Sequence, residues 1–186
     1  MDEIKHLTTE ELKSGLEHIY QSPKDEGTVA LIVRRPDFDK REVLEEGTLD
    51  PDEGMVGDNW ITRGSPNTPD NSANPESQIN VMNARAIALI AQDKERWALA
   101  GDQLYLDLDI SKENLPPGQR LAVGSAVIEV TPPPHTGCEK FMARFGRDAV
   151  KFVNSPEGKQ LRLRGFNAKV VQSGTVKVGD KVRKVQ

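Results

Sequence analysis

A chain of 186 residues with 36% hydrophobic and 29% charged residues has enough apolar surface for one ordinary core, with at most a short appendage. Its net charge of −4 argues against broad nucleic-acid binding, which calls for a basic surface. A single cysteine, Cys138, excludes an internal disulfide and removes the main sign of an oxidising compartment.

The opening MDEIKHLTTEEL is acidic where a secretion signal is basic, and no apolar segment follows it. The longest apolar run, Ala86 to Ala91, is far too short to span a membrane. A soluble cytoplasmic protein with no nucleic-acid or membrane partner is expected. LTTEELKSGLEHIYQSP reads as a helix: Thr8 and Glu11 have capping-box spacing, Leu12, Leu16 and Ile19 share a face, and Pro23 stops it. TVALIVRRP, Thr28 to Pro36, is short, β-branched and proline-ended, as a buried strand is.

An acidic, turn-rich stretch follows, and then Thr62 to Gln78, in which Ala73 is the only apolar residue. Three prolines predict a long surface loop over 62–78, either functional or disordered. INVMN predicts a short strand; ARAIALIAQ and DKERWALAG predict helices capped by Asn83 and Asp93, with Gly101 as the stop. QLYLDLDI alternates as a half-buried strand does. RLAVGSAVIEVT is further strand material, Cys138 to Val153 a basic helical region, and the C-terminal part a series of short strands with glycine turns. Many short strands with scattered short helices point to a mainly β (α+β) fold, a β-barrel with peripheral helices.

The cysteine lies in TPPPHTGCEKFMARFG. Thr136 and Glu139 have capping-box spacing, which would put Cys138 at the second helical position, where unpaired N–H groups and the helix dipole favour thiolate. Lys140 adds positive charge, His135 can shuttle a proton, and Gly137 leaves room for a ligand. A lone cytosolic cysteine is also commonly a small buried hydrophobe, so core filler and reagent both remain open.

Lys140, Arg144, Arg147 and Lys151 would share one helix face if Gly146 does not break it, with Phe141, Phe145 and Phe152 packed inward. From Glu139 to Lys169 there are eight bases and three acids, whereas Asp37 to Asp58 holds nine acids and two bases. Such asymmetry can hold a phosphate-bearing ligand, although a charged helix face is also an ordinary solvated surface. One Cys and three separated His give no zinc-type spacing, and no Walker loop, GxGxxG or GxSxG is present.

DLDISKENLPPGQRLAVGSAVIEVTPPPHTGCEKFMARFG resembles the MOSC domain, the C-terminal domain of molybdenum-cofactor sulfurases that also occurs in stand-alone bacterial proteins. It shares an Asn-Leu turn, a G-x-x-L-x-x-G strand entry and a single cysteine after an EVT-like strand. The closing GFNAKVVQSGTVKVGDKV is similar to the family's terminal hairpin, and GMVGDNW to its upstream Gly-Asp segment. The resemblance covers about residues 28–186, leaving 1–27 as an N-terminal helix and linker. It implies a barrel related to the pyruvate-kinase β-barrel domain.

It also implies that Cys138 ligates the molybdenum of a bound molybdopterin cofactor, or carries sulfur. On that resemblance Lys140, Arg144 and Arg147, with Thr136 and Gly137, would hold the anionic pterin cofactor, and Asn114 would lie in a loop lining the site. His135 would handle protons. The reaction implied is reduction of N-hydroxylated small molecules; a persulfide-forming sulfur transferase and a non-enzymatic anion-binding barrel are the alternatives. A redox or sulfur-donor protein is the implied partner. The PHTGC context differs from the Arg-Cys or Pro-Cys dipeptides of characterised members.

Overall fold

The computed structural model describes residues 4–186, so Met1 to Glu3 of the acidic opening lie outside the described residues. The leading helical segment forms with its Thr8–Glu11 capping box intact, but as two pieces, α1 (Thr9–Ser14) and α2 (Leu16–Tyr20). Gly15 separates them and presses against Leu89, where a Cβ would come within 2.5 Å of the leucine side chain. Leu12 and Ile19 anchor the pair in the core.

The strands follow in chain order: β1 (Glu26–Arg34), β2 (Glu42–Leu44), β3 (Glu46–Asp50), β4 (Gly54–Met55), β5 (Ile79–Asn83), β6 (Leu104–Asp107), β7 (Arg120–Val123), β8 (Ala126–Val130), β9 (Phe166–Gln172), β10 (Gly174–Lys177) and β11 (Lys181–Val185). Seven of them close a barrel in the order β11-β7-β8-β9-β5-β6-β1, with β1 pairing back onto β11. Only β5 and β6 run parallel, so the barrel is mixed. β2 extends β1, and β10, β3 and β4 form a separate three-stranded sheet.

Alternation along the strands divides the apolar residues into two cores. Val29, Ile32, Val81, Leu104, Leu106, Ile128 and Phe166 belong to the barrel's inner cluster. Leu31, Val33, Met82 and Tyr105 face the helices instead, together with Ile87, Phe141, Phe145 and Phe152. A register shift between Val29 and Leu31 is what lets β1 serve both. QLYLDLDI is therefore not half-buried: Leu104, Tyr105 and Leu106 are all fully buried, because helices cover the face that alternation assigns to solvent.

The helices outside the barrel are α3 (Trp60–Arg63), α4 (Ala84–Ala91), α5 (Glu139–Phe145), α6 (Arg147–Asn154) and α7 (Pro156–Leu161). Asn83 caps α4, and Asp93 caps a 3-10 helix over Lys94–Ala100 that ends at Gly101. The basic helical region expected over Cys138 to Val153 forms as two helices, because Gly146, with a φ of +95° that suits glycine, does break it. The 62–78 segment is not a simple loop. Its ends are helical, at Trp60–Arg63 and Pro75–Ser77, and between them Thr68 Oγ1 lies 3.0 Å from the Ser65 carbonyl and donates to the nearer Ser72 carbonyl at 2.6 Å. No helix among the described residues is long and apolar enough to cross a membrane.

Candidate functional site

The barrel register brings distant segments to one rim. Ile32 near the end of β1 pairs with Leu104 at the start of β6, Leu104 with Val81, and Val81 with Phe166 at the start of β9. Val130 at the end of β8 pairs with Ala168. Arg35, Asp102, Arg164 and the Pro132–Cys138 segment therefore leave the barrel side by side. The site is a product of this register, not of any one sequence motif.

Two buried ion pairs form its floor. Arg35 donates from Nε and Nη2 to the two carboxylate oxygens of Asp58, at 3.1 and 2.9 Å, and from Nη1 to Asn80 and the Gly101 carbonyl. Asp58 also accepts from the backbone of Arg35 and Trp60, which fixes the fork. Beside it, Arg164 Nη1 donates to Asp102 Oδ2 at 2.6 Å, and Arg164 Nη2 to the Ala100 carbonyl at 2.9 Å. The other oxygen of Asp102 lies 3.0 Å from His135 Nε2.

Burial alone would raise the pKa of Asp102, but the charge of Arg164 and the hydrogen bonds from His135 and Arg164 outweigh it and hold the carboxyl below the usual carboxylate range. Its ionised oxygen can only accept, so His135 Nε2 carries the proton and Nδ1 is the free acceptor. Burial, then the Arg164 charge, keep the imidazole below its ordinary pKa despite the opposing pull of Asp102. The ring is neutral at rest and oriented by a carboxylate. Gly165 makes this packing possible, since a Cβ there would lie 2.2 Å from the Val81 carbonyl and 3.1 Å from the His135 ring.

Above this floor opens a cavity of about 190 Å³. Six cations line it: Arg35, Arg41, Arg63, Lys140, Arg144 and Arg164. Asp37 and Asp39 are the acids in its wall. Arg35 and Arg164 are neutralised from behind, and the exposed Asp39 bridges Arg144 at 3.4 Å and Lys140 at 3.9 Å. Arg41 and Arg63 make no ion pair among the described residues. Burial, followed by the charges of Arg144 and Arg35, lowers the pKa of Arg41; burial and Arg35 do the same for Arg63. Crowded cations with too few acids make a site for an anion. Arg164 Nε is buried with no hydrogen-bond partner among the described residues.

Cys138 opens into this cavity and is exposed, so it is not core filler. The expected helix cap is corrected: Cys138 is itself the N-cap of α5, and Thr136 lies outside the helix. Asn154 causes the difference. Its Oδ1 accepts from the Gly137 N–H at 2.9 Å and its Nδ2 donates to the Gly137 carbonyl at 3.0 Å, holding the residue out of the helix. Asn154 thus positions the thiol, although 16 intervening positions concealed it in the sequence.

Lys140 and Arg144 join Cys138 and His135 at the cavity, whereas Arg147 does not line it. The turn at Gly146 sends Arg147 into α6. Asn114 is also elsewhere: its side-chain amide donates to the carbonyls of Lys24 and Asp109 and accepts from Lys184, a structural role that ties loops together. Thr136 lines a second cavity of about 410 Å³, and His135 and Arg164 are common to both cavities. Sequence reasoning missed Arg35, Arg41, Arg63, Asp102 and Arg164. Asp58 lay within the Gly-Asp segment, but its partner was not visible. No three of His, Cys, Asp and Glu gather as a metal site among the described residues, leaving Cys138 as the thiol available to a metal.

The expected opposition of an acidic and a basic segment is also altered. Asp39 and Asp58 of the acidic stretch are drawn into the basic site as counter-ions, so the two segments meet at one place.

Solved structures share this fold. The YuaD protein from Bacillus subtilis superposes with a TM-score of 0.62 at 14% identity, covering 86% of this chain and 95% of its own. YiiM from Escherichia coli gives 0.55 at 16% identity over 86% and 70%, and YiiM from Geobacillus stearothermophilus 0.54 at 13% over 86% and 73%. No curated protein matches the sequence. The family model described as MOSC domain matches residues 68–183, a span that runs from before β5 into β11 and includes the cysteine segment. The chain belongs to the MOSC domain family, a family associated with molybdenum cofactor binding.

Proposed function

We propose that this protein binds a molybdopterin-type cofactor in the cation-lined cavity, with Cys138 as thiolate ligand to its molybdenum, and reduces N-hydroxylated small molecules. The observation that carries this reading is the meeting of an exposed thiol and six cations at one cavity, two of those cations having no ion-pair partner among the described residues. The residues suit the group. A soft thiolate matches such a metal, guanidinium forks match a phosphate, and Arg164 Nε, without a partner among the described residues, leaves a buried donor to be satisfied.

Arg41, Arg144 and Lys140 would hold the phosphate, Asp39 being displaced from the last two. When bound, the molybdenum would supply the two-electron chemistry. His135 would move protons at Nδ1, Asp102 holding the ring in position through Nε2. An anion bound beside these guanidiniums would favour the charged imidazole, so occupancy would raise the His135 pKa toward a working range.

Pterin content tests the reading independently of the metal. The full chain is purified from a cofactor-competent host, and the pterin is released and quantified by fluorescence, for wild type and for Arg41→Glu/Arg144→Glu. Retention by wild type and loss of at least about tenfold in the charge-reversed variant, with an unchanged melting profile, is expected. A pterin-free wild type, or equal retention by both, would overturn it.

The exposure of Cys138 favours one other reading, a sulfur carrier that a donor protein can reach. The thiolate would attack the sulfane sulfur of a persulfide donor, forming Cys138–S–SH and releasing the donor's thiolate. An adduct of about 32 Da on Cys138 that dithiothreitol removes would support this; an unmodified thiol after exposure to the donor would count against it.

A further inference from the structure

The second cavity is built differently from the first. Pro132, Pro133, Pro134, Val153 and Phe166 give it mainly apolar walls, and Lys112, Lys159 and Arg162 supply its charge. No acidic residue lines it, and none of these three cations has an ion pair among the described residues. Its volume of about 410 Å³ falls within the range of small-molecule clefts, roughly 300–1,000 Å³.

The walls are pre-formed. Asn167 Nδ2 donates to the carbonyls of Pro133 and Pro134 at 3.0 and 3.3 Å, and its carbonyl oxygen accepts from Asn80 at 2.6 Å. The backbones of Thr131 and Asn167 are bonded as well. Arg162 adopts φ +52° and donates from Nη1 to the Ile110 and Leu115 carbonyls, which places its guanidinium 5.7 Å from the centre of the Phe166 ring. Burial lowers the pKa of this arginine, so an anion nearby would relieve a real cost. Rigid walls of proline and phenylalanine suit a flat apolar body, and their rigidity reduces the ordering cost of binding.

We propose that this proline-walled cavity is a second small-molecule site, taking a flat apolar ligand that carries a carboxylate or similar anionic group. It is separate from the thiol cavity. Because His135 and Arg164 line both cavities, ligands in the two would neighbour the same imidazole.

The test uses the full chain from a host that makes no cofactor, so that its outcome does not depend on the proposed molybdenum chemistry. Benzoate is titrated in, with its neutral isostere benzamide as control, while the backbone amide signals of Gly158, Gly165 and Phe166 are followed by NMR. Saturable benzoate shifts at these three amides are expected, with benzamide at least about tenfold weaker. Lys112→Glu/Lys159→Glu should weaken benzoate by a similar factor, and Arg41→Glu/Arg144→Glu in the other cavity should leave it unchanged. Absence of saturable shifts, equal binding of the two probes, or loss of benzoate binding only in the Arg41→Glu/Arg144→Glu variant would each overturn the proposal.

Discussion

Replacing Asp102 with Asn keeps the side-chain shape but removes the buried negative charge between Arg164 and His135. The side chains of Asp102 and Arg164 are 0% and 8% exposed, so water cannot take over the lost pairing. Removing one partner of a buried ion pair costs about 3–5 kcal/mol; an isosteric amide that still accepts one hydrogen bond belongs near the lower figure. Each kcal/mol lowers Tm by about 2–4 °C in a chain of this size, so Asp102→Asn should melt about 6–12 °C below wild type in calorimetry. Combining it with Arg164→Met removes both charges and should recover part of that loss, because the uncompensated guanidinium is the costly species. A single variant melting within about 2 °C of wild type would refute the claim that this pair is a buried, mutually dependent unit.

Three further outcomes follow from the same contacts. The His135 pKa is lowered in the folded protein, so the unfolded chain takes up a proton first as the pH drops. Stability should therefore be full above about 6.5, the ordinary imidazole value, and fall below it toward the folded value; His135→Gln should flatten that part of a urea-unfolding pH series. Gly165→Ala, with φ +116° and a Cβ 2.2 Å from the Val81 carbonyl, should cost more than about 2 kcal/mol in denaturant titrations and displace the His135 ring. Asn154→Ala removes both bonds that hold Gly137 and should cost about 2 kcal/mol, with the Gly137 amide losing its protection in hydrogen exchange.

What could be read in the sequence was local. The Thr8–Glu11 capping box and the caps at Asn83 and Asp93 form as expected, because each depends on residues two or three positions apart. The same spacing at Thr136 and Glu139 misled, because a side chain on α6 holds Gly137 outside the helix. Arg35 and Asp58 are 23 positions apart, and Asp102 and Arg164 are 62 apart; each looks like an ordinary loop charge until barrel closure joins them. The alternation of QLYLDLDI gave the correct strand and the wrong exposure, since a pattern along one strand carries no record of the helices packed against it. The thiol and two of the three basic residues predicted beside it were legible; the arginines that complete the cavity came from just past β1, from the end of α3 and from the loops, and were not.

The central claim is that Cys138 and its surrounding cations form a molybdenum-cofactor site. Molybdenum per chain, measured by elemental analysis after purification from a cofactor-competent host, tests it most directly when wild type and Cys138→Ser are compared. Substantial molybdenum in the wild type and its loss in the serine variant are expected. A metal-free wild type, or a Cys138→Ser protein with undiminished molybdenum, would contradict it.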